Sequence, residues 1–196
     1  MTRFTGARVL EVRIHLPPAK SLLRTSLQTG DRESRGPKSR AIIQPGPPDG
    51  QVFFASLAGN YLGQIDLATG TVTVLDPPVP RQGARRVWSD SRGGLWITGW
   101  NSGDLFRYDS KSKTWARWHL PGDGPQPYAV YVDETDAVWV SDWGANAILR
   151  FDPNTEKFES FPLPDRDASV RQLAGRRGEV WGAESGADKL FVLKTE

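Results

Sequence analysis

The chain has 196 residues, no cysteine, two histidines and a formal net charge of +2. The absence of cysteine excludes disulfides, thiolate metal sites and cysteine nucleophiles, and two histidines are too few for a multi-histidine metal site within one chain. No apolar run approaches the roughly 20 residues of a membrane-spanning helix, so we expect no membrane partner. Residues 1–40 carry nine Lys or Arg against three acidic residues, whereas all eight Trp lie after residue 87. The sequence therefore divides into a basic N-terminal segment and a Trp-rich remainder.

The basic segment, residues 1–40, is predicted to be mostly flexible. Apolar and polar residues alternate over Leu10–Leu16, which predicts one half-buried strand that ends at Pro17-Pro18. The following residues, 19–40, are polar and broken by Gly and Pro, as is typical of a linker. A basic arm that binds nucleic-acid phosphates is the alternative, but the segment has few aromatic residues, which disfavours a nucleic-acid partner. The segment also lacks the apolar run of a secretory signal peptide, and the localisation stays open.

An internal repeat of 42–43 residues organises the chain from about residue 41 onward. Two columns of residues recur in register: Phe53, Trp96, Trp139 and Trp181, and Asp66, Asp109 and Asp152. Each repeat alternates short apolar runs with Gly, Asn and Asp turns, and no run is long enough for a typical helix. In the third repeat the runs are Tyr128–Val132, Ala137–Ser141, Ala147–Phe151 and Lys157–Phe161. The pattern predicts four short strands in each repeat.

Four strands per repeat predict an all-β fold, a β-propeller built of four-stranded antiparallel blades. About four blades are expected, at residues 41–76, 84–120, 127–164 and 169–196. The repeated aromatic residues are expected to fill the space between neighbouring blades. The turn at Asp152–Thr155 is predicted to be structural, with Asp as the capping residue. The fourth repeat ends at Glu196 after its third strand, and Leu10–Leu16 is the strand that we expect to complete it.

Four blades are fewer than most propellers have, and an incomplete ring would expose the apolar face of a blade at each flank. Three arrangements fit the sequence. The chain closes as a four-bladed ring, it associates with itself through the open blade edges, or it is part of a larger propeller whose other blades are absent.

Specific motifs in these repeats resemble the virginiamycin B lyase (streptogramin lyase) family. They are Trp143–Asp152 (WGANAILRFD), the Gly-x-Val-Trp strand starts and the Phe158–Pro164 ending (FESFPLP), and the resemblance covers about residues 41–196. It implies a seven-bladed propeller, often exported from bacteria, and a magnesium-dependent lyase that linearises a cyclic depsipeptide antibiotic. This chain corresponds to little more than half of such a ring, which is typical of a truncated gene product.

Strand order predicts which side chains meet at one mouth of the central channel. The innermost and second strands of a blade are antiparallel, so the start of the first lies beside the end of the second. Convergent polar groups at such a mouth are a candidate binding site. The candidate ligand-binding residues are Arg85, Arg86, Tyr128, Arg171, Trp100 and Trp143. Asp142 and Glu184 are the candidate metal ligands, and Tyr128 and Glu184 the candidate catalytic residues.

The family resemblance implies a histidine after a proline near the start of certain innermost strands, where it supplies the general base. Here Pro127 is followed by Tyr128, which is a poor base at its ordinary pKa of about 10. The resemblance also implies Mg²⁺, which Asp142 or Glu184 would hold; alternatively, these carboxylates pair with Arg171 or Arg86.

The sequence therefore favours a lyase-like propeller that binds a polar or anionic small molecule, a peptide or a glycan. Arginine supports bidentate recognition of carboxylate or phosphate, and the Tyr and Trp side chains can stack on a flat ligand. The alternatives are a magnesium-dependent carbon–oxygen lyase that opens a cyclic depsipeptide or lactone, and an inactive truncated gene product.

Overall fold

The computed structural model describes residues 9–12, 41–44 and 51–195, and every regular element in these ranges is a β-strand. The strands are β1 (Val9–Val12), β2 (Ala41–Gln44), β3 (Val52–Ser56), β4 (Tyr61–Ile65), β5 (Val72–Leu75), β6 (Ala84–Ser89), β7 (Gly94–Gly99), β8 (Asp104–Asp109), β9 (Thr114–His119), β10 (Pro127–Val132), β11 (Val138–Asp142), β12 (Ala147–Asp152), β13 (Lys157–Pro162), β14 (Val170–Arg176), β15 (Glu179–Glu184) and β16 (Lys189–Lys194). In the described ranges, no helix is long and apolar enough to cross a membrane.

The strands form four antiparallel sheets of four strands each, which confirms the predicted propeller blades. Blade 1 contains β2–β5, blade 2 contains β6–β9 and blade 3 contains β10–β13, each in sequence order. Blade 4 has the order β1-β16-β15-β14, so β14 is its innermost strand and β1 its outermost. The predicted strands of the third repeat agree with β10–β13 to within one residue at each end.

The N-terminal strand β1 completes blade 4, as expected from the strand that the fourth repeat lacks. It pairs antiparallel with β16, and Leu10 lies opposite Val192. The other part of the expected strand, residues 13–16, and the predicted linker, residues 19–40, lie outside the described residues. Because β1 covers β16, the strand that contains the buried Phe191 and Leu193 is not an exposed sheet edge.

Neighbouring blades pack face to face, and the repeated aromatic residues lie between them. Phe53, Trp96 and Trp139 are each 1% exposed, one in each of the three apolar clusters that join blades 1 and 2, 2 and 3, and 3 and 4. This confirms the structural role predicted for the repeated aromatics. Trp181 is the fourth member of the column and is only partly buried, because no further blade follows blade 4 in this structure.

The four blades form an open arc and not a closed four-bladed ring. The innermost strands pack in succession, β2 on β6, β6 on β10 and β10 on β14. Among the described residues, no extensive packing joins blade 4 to blade 1. One sheet face at each end of the arc is therefore open. We call the face of blade 1 turned away from blade 2 the first-blade flank, and the face of blade 4 turned away from blade 3 the last-blade flank.

The recurring aspartates close the turns between the third and fourth strands of blades 1–3. Oδ1 of Asp66 accepts hydrogen bonds from the backbone N–H groups of Ala68 and Thr69 at 2.9 and 3.0 Å. Asp109 and Asp152 make the equivalent contacts with Lys111, Ser112 and Asn154. These backbone hydrogen bonds hold the pKa of Asp66, Asp109 and Asp152 below its ordinary value, because they favour the ionised carboxylate.

We predict that deleting residues 1–12 lowers the melting temperature by about 5 °C or more. The deletion removes β1 and opens the β16 edge, and a loss of about 1 kcal/mol shifts the midpoint by about 2–4 °C in a chain of this size. Calorimetry measures the difference, and deletion of residues 1–8, which keeps β1, is the matched control. Equal melting temperatures for the two deletions would contradict the closure of blade 4 by β1.

We also predict that stability falls as the pH drops below about 4. A carboxylate whose pKa is lower in the folded state contributes stability that is present above its unfolded value of about 3.9 and is lost as the pH falls through the folded value. The triple variant D66N/D109N/D152N keeps the turn acceptors and removes their titration. Urea unfolding at pH 5 and pH 3 should show a smaller loss for the variant than for the wild type. The same loss in both chains would be inconsistent with this role.

Candidate functional site

The channel mouth lies where the innermost strands begin and the second strands end. Pro127 pairs with Asp142, and Val170 pairs with Glu184. The antiparallel pairing therefore brings the start of each innermost strand beside the end of the second strand, as predicted. In blades 2, 3 and 4 the register of the innermost strand shifts directly after this first pair. These β-bulges contain the predicted site residues Arg85, Arg86, Tyr128 and Arg171. A bulge redirects side chains, so the backbone irregularity turns these residues toward the mouth.

Two buried hydroxyl groups fill the gaps that the bulges leave in the ladders of blades 2 and 3. Thr98 Oγ1 accepts a hydrogen bond from the Arg86 N–H at 3.2 Å and donates one to the Tyr128 carbonyl at 2.8 Å. Ser141 Oγ accepts from the Ala129 N–H at 2.9 Å and donates to the Val170 carbonyl at 2.9 Å. Each hydroxyl thus satisfies an N–H at the bulge in its own blade and ties that blade to the next one.

The candidate ligand-binding side chains form a stack across blades 2, 3 and 4. The Arg85 guanidinium lies 3.9 Å from the centroid of the Tyr128 ring. The Tyr128 and Trp143 rings are stacked at 4.7 Å with an interplanar angle of 10°. The Arg171 guanidinium lies 5.3 Å from the Trp143 ring and caps the other end of the stack. Cation–π attraction and ring stacking therefore position two arginines, one from blade 2 and one from blade 4, on the rings of blade 3.

Two further contacts hold the stack in place. Trp100 packs edge-on against Tyr128 at 5.6 Å and against Trp143 at 5.3 Å. The Trp143 indole N–H donates a hydrogen bond to the Val170 carbonyl of blade 4 at 2.8 Å. The six predicted ligand-binding residues thus lie together at the mouth, and the Tyr128 and Trp143 rings already face each other and the flanking guanidinium groups.

The third arginine, Arg86, joins this group from the same bulge as Arg85. Its Nη2 donates a hydrogen bond to the Arg171 carbonyl at 3.2 Å, and its guanidinium lies 5.3 Å from the Tyr128 ring. Burial, together with the neighbouring charge of Arg85, lowers the pKa of Arg86 below its ordinary value. The Nε atoms of Arg85 and Arg86 are buried without a hydrogen-bond partner. Within the described part of the chain, no carboxylate forms an ion pair with Arg85, Arg86 or Arg171.

The two predicted metal ligands, Asp142 and Glu184, are each 2% exposed. Asp142 Oδ1 accepts hydrogen bonds from the backbone N–H groups of Gln126 and Gly144 at 2.7 and 2.9 Å, whereas Oδ2 is buried without a hydrogen-bond partner. Asp142 therefore orders the loops at the mouth, and the alternative that it pairs with Arg86 or Arg171 is wrong.

The described residues show no ready-made magnesium site at the mouth. In the described ranges, no three His, Cys, Asp or Glu side chains form a group that could hold a metal ion. Mg²⁺ in proteins is ordinarily held by one or two carboxylates and several waters, and Asp142 already uses its Oδ1 to accept hydrogen bonds from two backbone N–H groups. Magnesium at Asp142 and Glu184 stays a prediction from the family resemblance, and no chemical step is assigned to it.

Thr98 and Ser141 are the site residues that the sequence analysis missed. A signal was present, because the two hydroxyl residues are 43 positions apart and directly precede the column that contains Asp142. The equivalent position in blade 4 is Ala183, which has no hydroxyl group and no following blade to contact.

Fold and site together define the class of the protein: it is a half-ring β-propeller with an arginine-rich, aromatic channel mouth. Among solved structures, it is similar to virginiamycin B lyase from Staphylococcus aureus, with a TM-score of 0.70, 24% identity, and coverage of 78% of this chain and 50% of that chain. The structure of a catalytically inactive form of that enzyme with quinupristin has a TM-score of 0.72 and 22% identity. The match covers 80% of this chain and 53% of that chain. The extracellular domain of a putative hybrid two-component system from B. thetaiotaomicron has a TM-score of 0.64 and 17% identity. The match covers 79% of this chain and 20% of that chain.

These similarities confirm the lyase-like propeller fold. The chain spans about half the length of the virginiamycin B lyase structures. No protein-family model matches the chain, and no curated protein matches it. At these identities the likeness shows the fold alone, and the activity of the neighbours is not carried over with it.

Proposed function

We propose that this chain is a binding module that holds an anionic group at the channel mouth. The observation that carries the proposal is that Arg85, Arg86 and Arg171 all lie against the Tyr128–Trp143 stack at the mouth, without an ion-pairing carboxylate in the described part of the chain. Arg85 and Arg86 come from blade 2 and Arg171 from blade 4, and each guanidinium group carries donors that match the oxygens of a carboxylate or phosphate.

The electrostatics of the mouth favour an anion over a neutral ligand. Burial and the charge of Arg85 lower the pKa of Arg86, so the positive charge of Arg86 is destabilised in its surroundings. A bound anion beside the Arg85 and Arg86 guanidinium groups would offset this repulsion.

The aromatic side chains narrow the class of ligand. Tyr128 and Trp143 stack on each other, and Arg85 and Arg171 lie over the rings, so a flat ligand cannot stack on them without displacing a partner. We therefore favour a carboxylate- or phosphate-bearing small molecule or acidic peptide, and a glycan only where it carries an acidic group. Tyr128 and the two Trp residues act in this proposal as the scaffold that positions the arginines.

The second candidate function is the carbon–oxygen lyase reaction, with Mg²⁺ at Asp142 or Glu184. It is supported by the likeness to virginiamycin B lyase and by the buried, unpartnered Oδ2 of Asp142. The lyase proposal leaves Glu184 as its candidate base, because Tyr128 stands where the family resemblance implies a histidine and its ring is packed within the stack. We therefore favour the binding module.

We predict that the wild-type chain binds succinate and inorganic phosphate, and that R171Q weakens binding about tenfold or more, since a hydrogen bond to a charged group contributes about 1.5–3 kcal/mol. The triple variant R85Q/R86Q/R171Q should lose binding. Isothermal titration calorimetry at low ionic strength measures both effects.

The exposed Arg92, which lies in the turn between β6 and β7, provides the matched control. R92Q should bind as the wild type does. If R92Q and R171Q weakened anion binding equally, the anion would be attracted by the overall charge of the chain and not by this site, and the proposal would be rejected. No binding by the wild type would favour the inactive gene product.

We further predict that neither Mg²⁺ nor EDTA changes the melting temperature, because no three His, Cys, Asp or Glu side chains of the described ranges form a group that could hold the ion. Calorimetric scans with each additive test this. A rise with Mg²⁺ that D142N abolishes, together with magnesium-dependent opening of a cyclic depsipeptide, would favour the lyase function over the binding module.

A further inference from the structure

The two flanks of the arc are the two halves of a contact that the chain makes three times internally. In each internal contact, the face that carries Phe53, Trp96 or Trp139 packs against the opposite face of the next blade. The last-blade flank is the same kind of face, because Trp181 is the next member of that column. The first-blade flank is the kind of face that blades 2, 3 and 4 turn toward the preceding blade.

The first-blade flank has the apolar surface that such a contact requires. Val72 corresponds in the repeat to Trp115, which packs into the cluster between blades 1 and 2, so Val72 and Val74 face away from blade 2. They are 47% and 51% exposed. Among the described residues, the large exposed hydrophobic side chains are these two and Leu67, all of which belong to blade 1.

The last-blade flank offers a hollow beside its aromatic residue. Trp181, Ala174, Gly175 and Arg176 line an open depression of about 460 Å³. Ala174 pairs with Trp181 just as Tyr131 pairs with Trp139 in blade 3, and the smaller side chain leaves this space. Trp181 is fixed within it by the hydrogen bond from its indole N–H to Glu179 at 2.9 Å. The flank therefore combines a positioned ring with room for side chains of another blade.

We propose that a second copy of this chain covers both flanks, so that two half-rings close into one eight-bladed ring. The last-blade flank of each copy packs on the first-blade flank of the other, which repeats the internal contact twice. Such a head-to-tail contact closes on itself when two copies complete the turn. The chain covers about half the length of the virginiamycin B lyase structures, so two copies supply about the length of one such chain, arranged as eight blades where the family resemblance implies seven.

Light scattering after gel filtration tests the proposal on the full chain between about 5 and 200 μM. The wild type should have twice the mass of one chain. V74E and W181E each place a charge in both contacts of the ring and should raise the dissociation constant about a hundredfold or more, since buried hot-spot residues dominate such interfaces. T73E is the matched control, because Thr73 is exposed on the other face of the same strand.

Mixing V74E with W181E distinguishes the head-to-tail arrangement from other dimers. The mixed dimer has one contact that carries both changes and one wild-type contact, so association should recover in part. A wild-type monomer at every concentration would overturn the proposal and leave the flanks to blades of a different origin. Loss of the dimer in V74E alone, or in neither variant, would also overturn it. Circular dichroism verifies folding, and W181A replaces W181E if that variant does not fold.

Discussion

The packing of one blade on the next is the interaction on which the rest of the structure depends. A four-stranded antiparallel sheet with two apolar faces cannot bury both of them alone. Phe53, Trp96 and Trp139 each place a ring, 1% exposed, between two blades, and burial of an aromatic side chain removes about 150–250 Å² from water. The repeat that produces this packing also determines where the sheets begin and end. The site at the channel mouth and the open flanks are consequences of the same contact.

The channel mouth depends on the contact between blades in a second way. Thr98 and Ser141 bond an N–H at the bulge of their own blade and a carbonyl of the next blade. The bulges place Arg85, Arg86 and Arg171 at the mouth, and the stack of Tyr128 on Trp143 joins the arginines across three blades. A shift between blades would therefore break both the hydroxyl bridges and the stack. The position of the charges is a property of the assembled blades and not of any single blade.

Much of this arrangement could be predicted from the sequence, because a repeat of 42–43 residues carries each residue to the same place in every blade. The period and antiparallel pairing were enough to place Arg85, Tyr128 and Arg171 at one mouth and to expect a strand near Leu10 beside blade 4. The bulges could not be predicted from the repeat. Blades 2, 3 and 4 all have the register shift at the same place, so the spacing from one blade to the next carries no sign of it. Pairing of Asp142 with an arginine was wrong because side-chain direction decides the partner, and its Oδ1 turns toward two backbone N–H groups.

The anion site and the ring contact use different parts of the same arc, and this separates the two proposals physically. The guanidinium groups lie where blades 2, 3 and 4 meet, and all the contacts that hold them come from these three blades. The flanks lie on the outer faces of blades 1 and 4, and within the described ranges no ring stack or side-chain hydrogen bond joins Val74 or Trp181 to a site residue. The proposed anion site is therefore complete within a single arc, and the proposed ring contact does not require an anion. What closure adds is a second set of arginines at the same mouth, so a ligand with two acidic groups could bridge both copies, whereas a ligand with one acidic group could not.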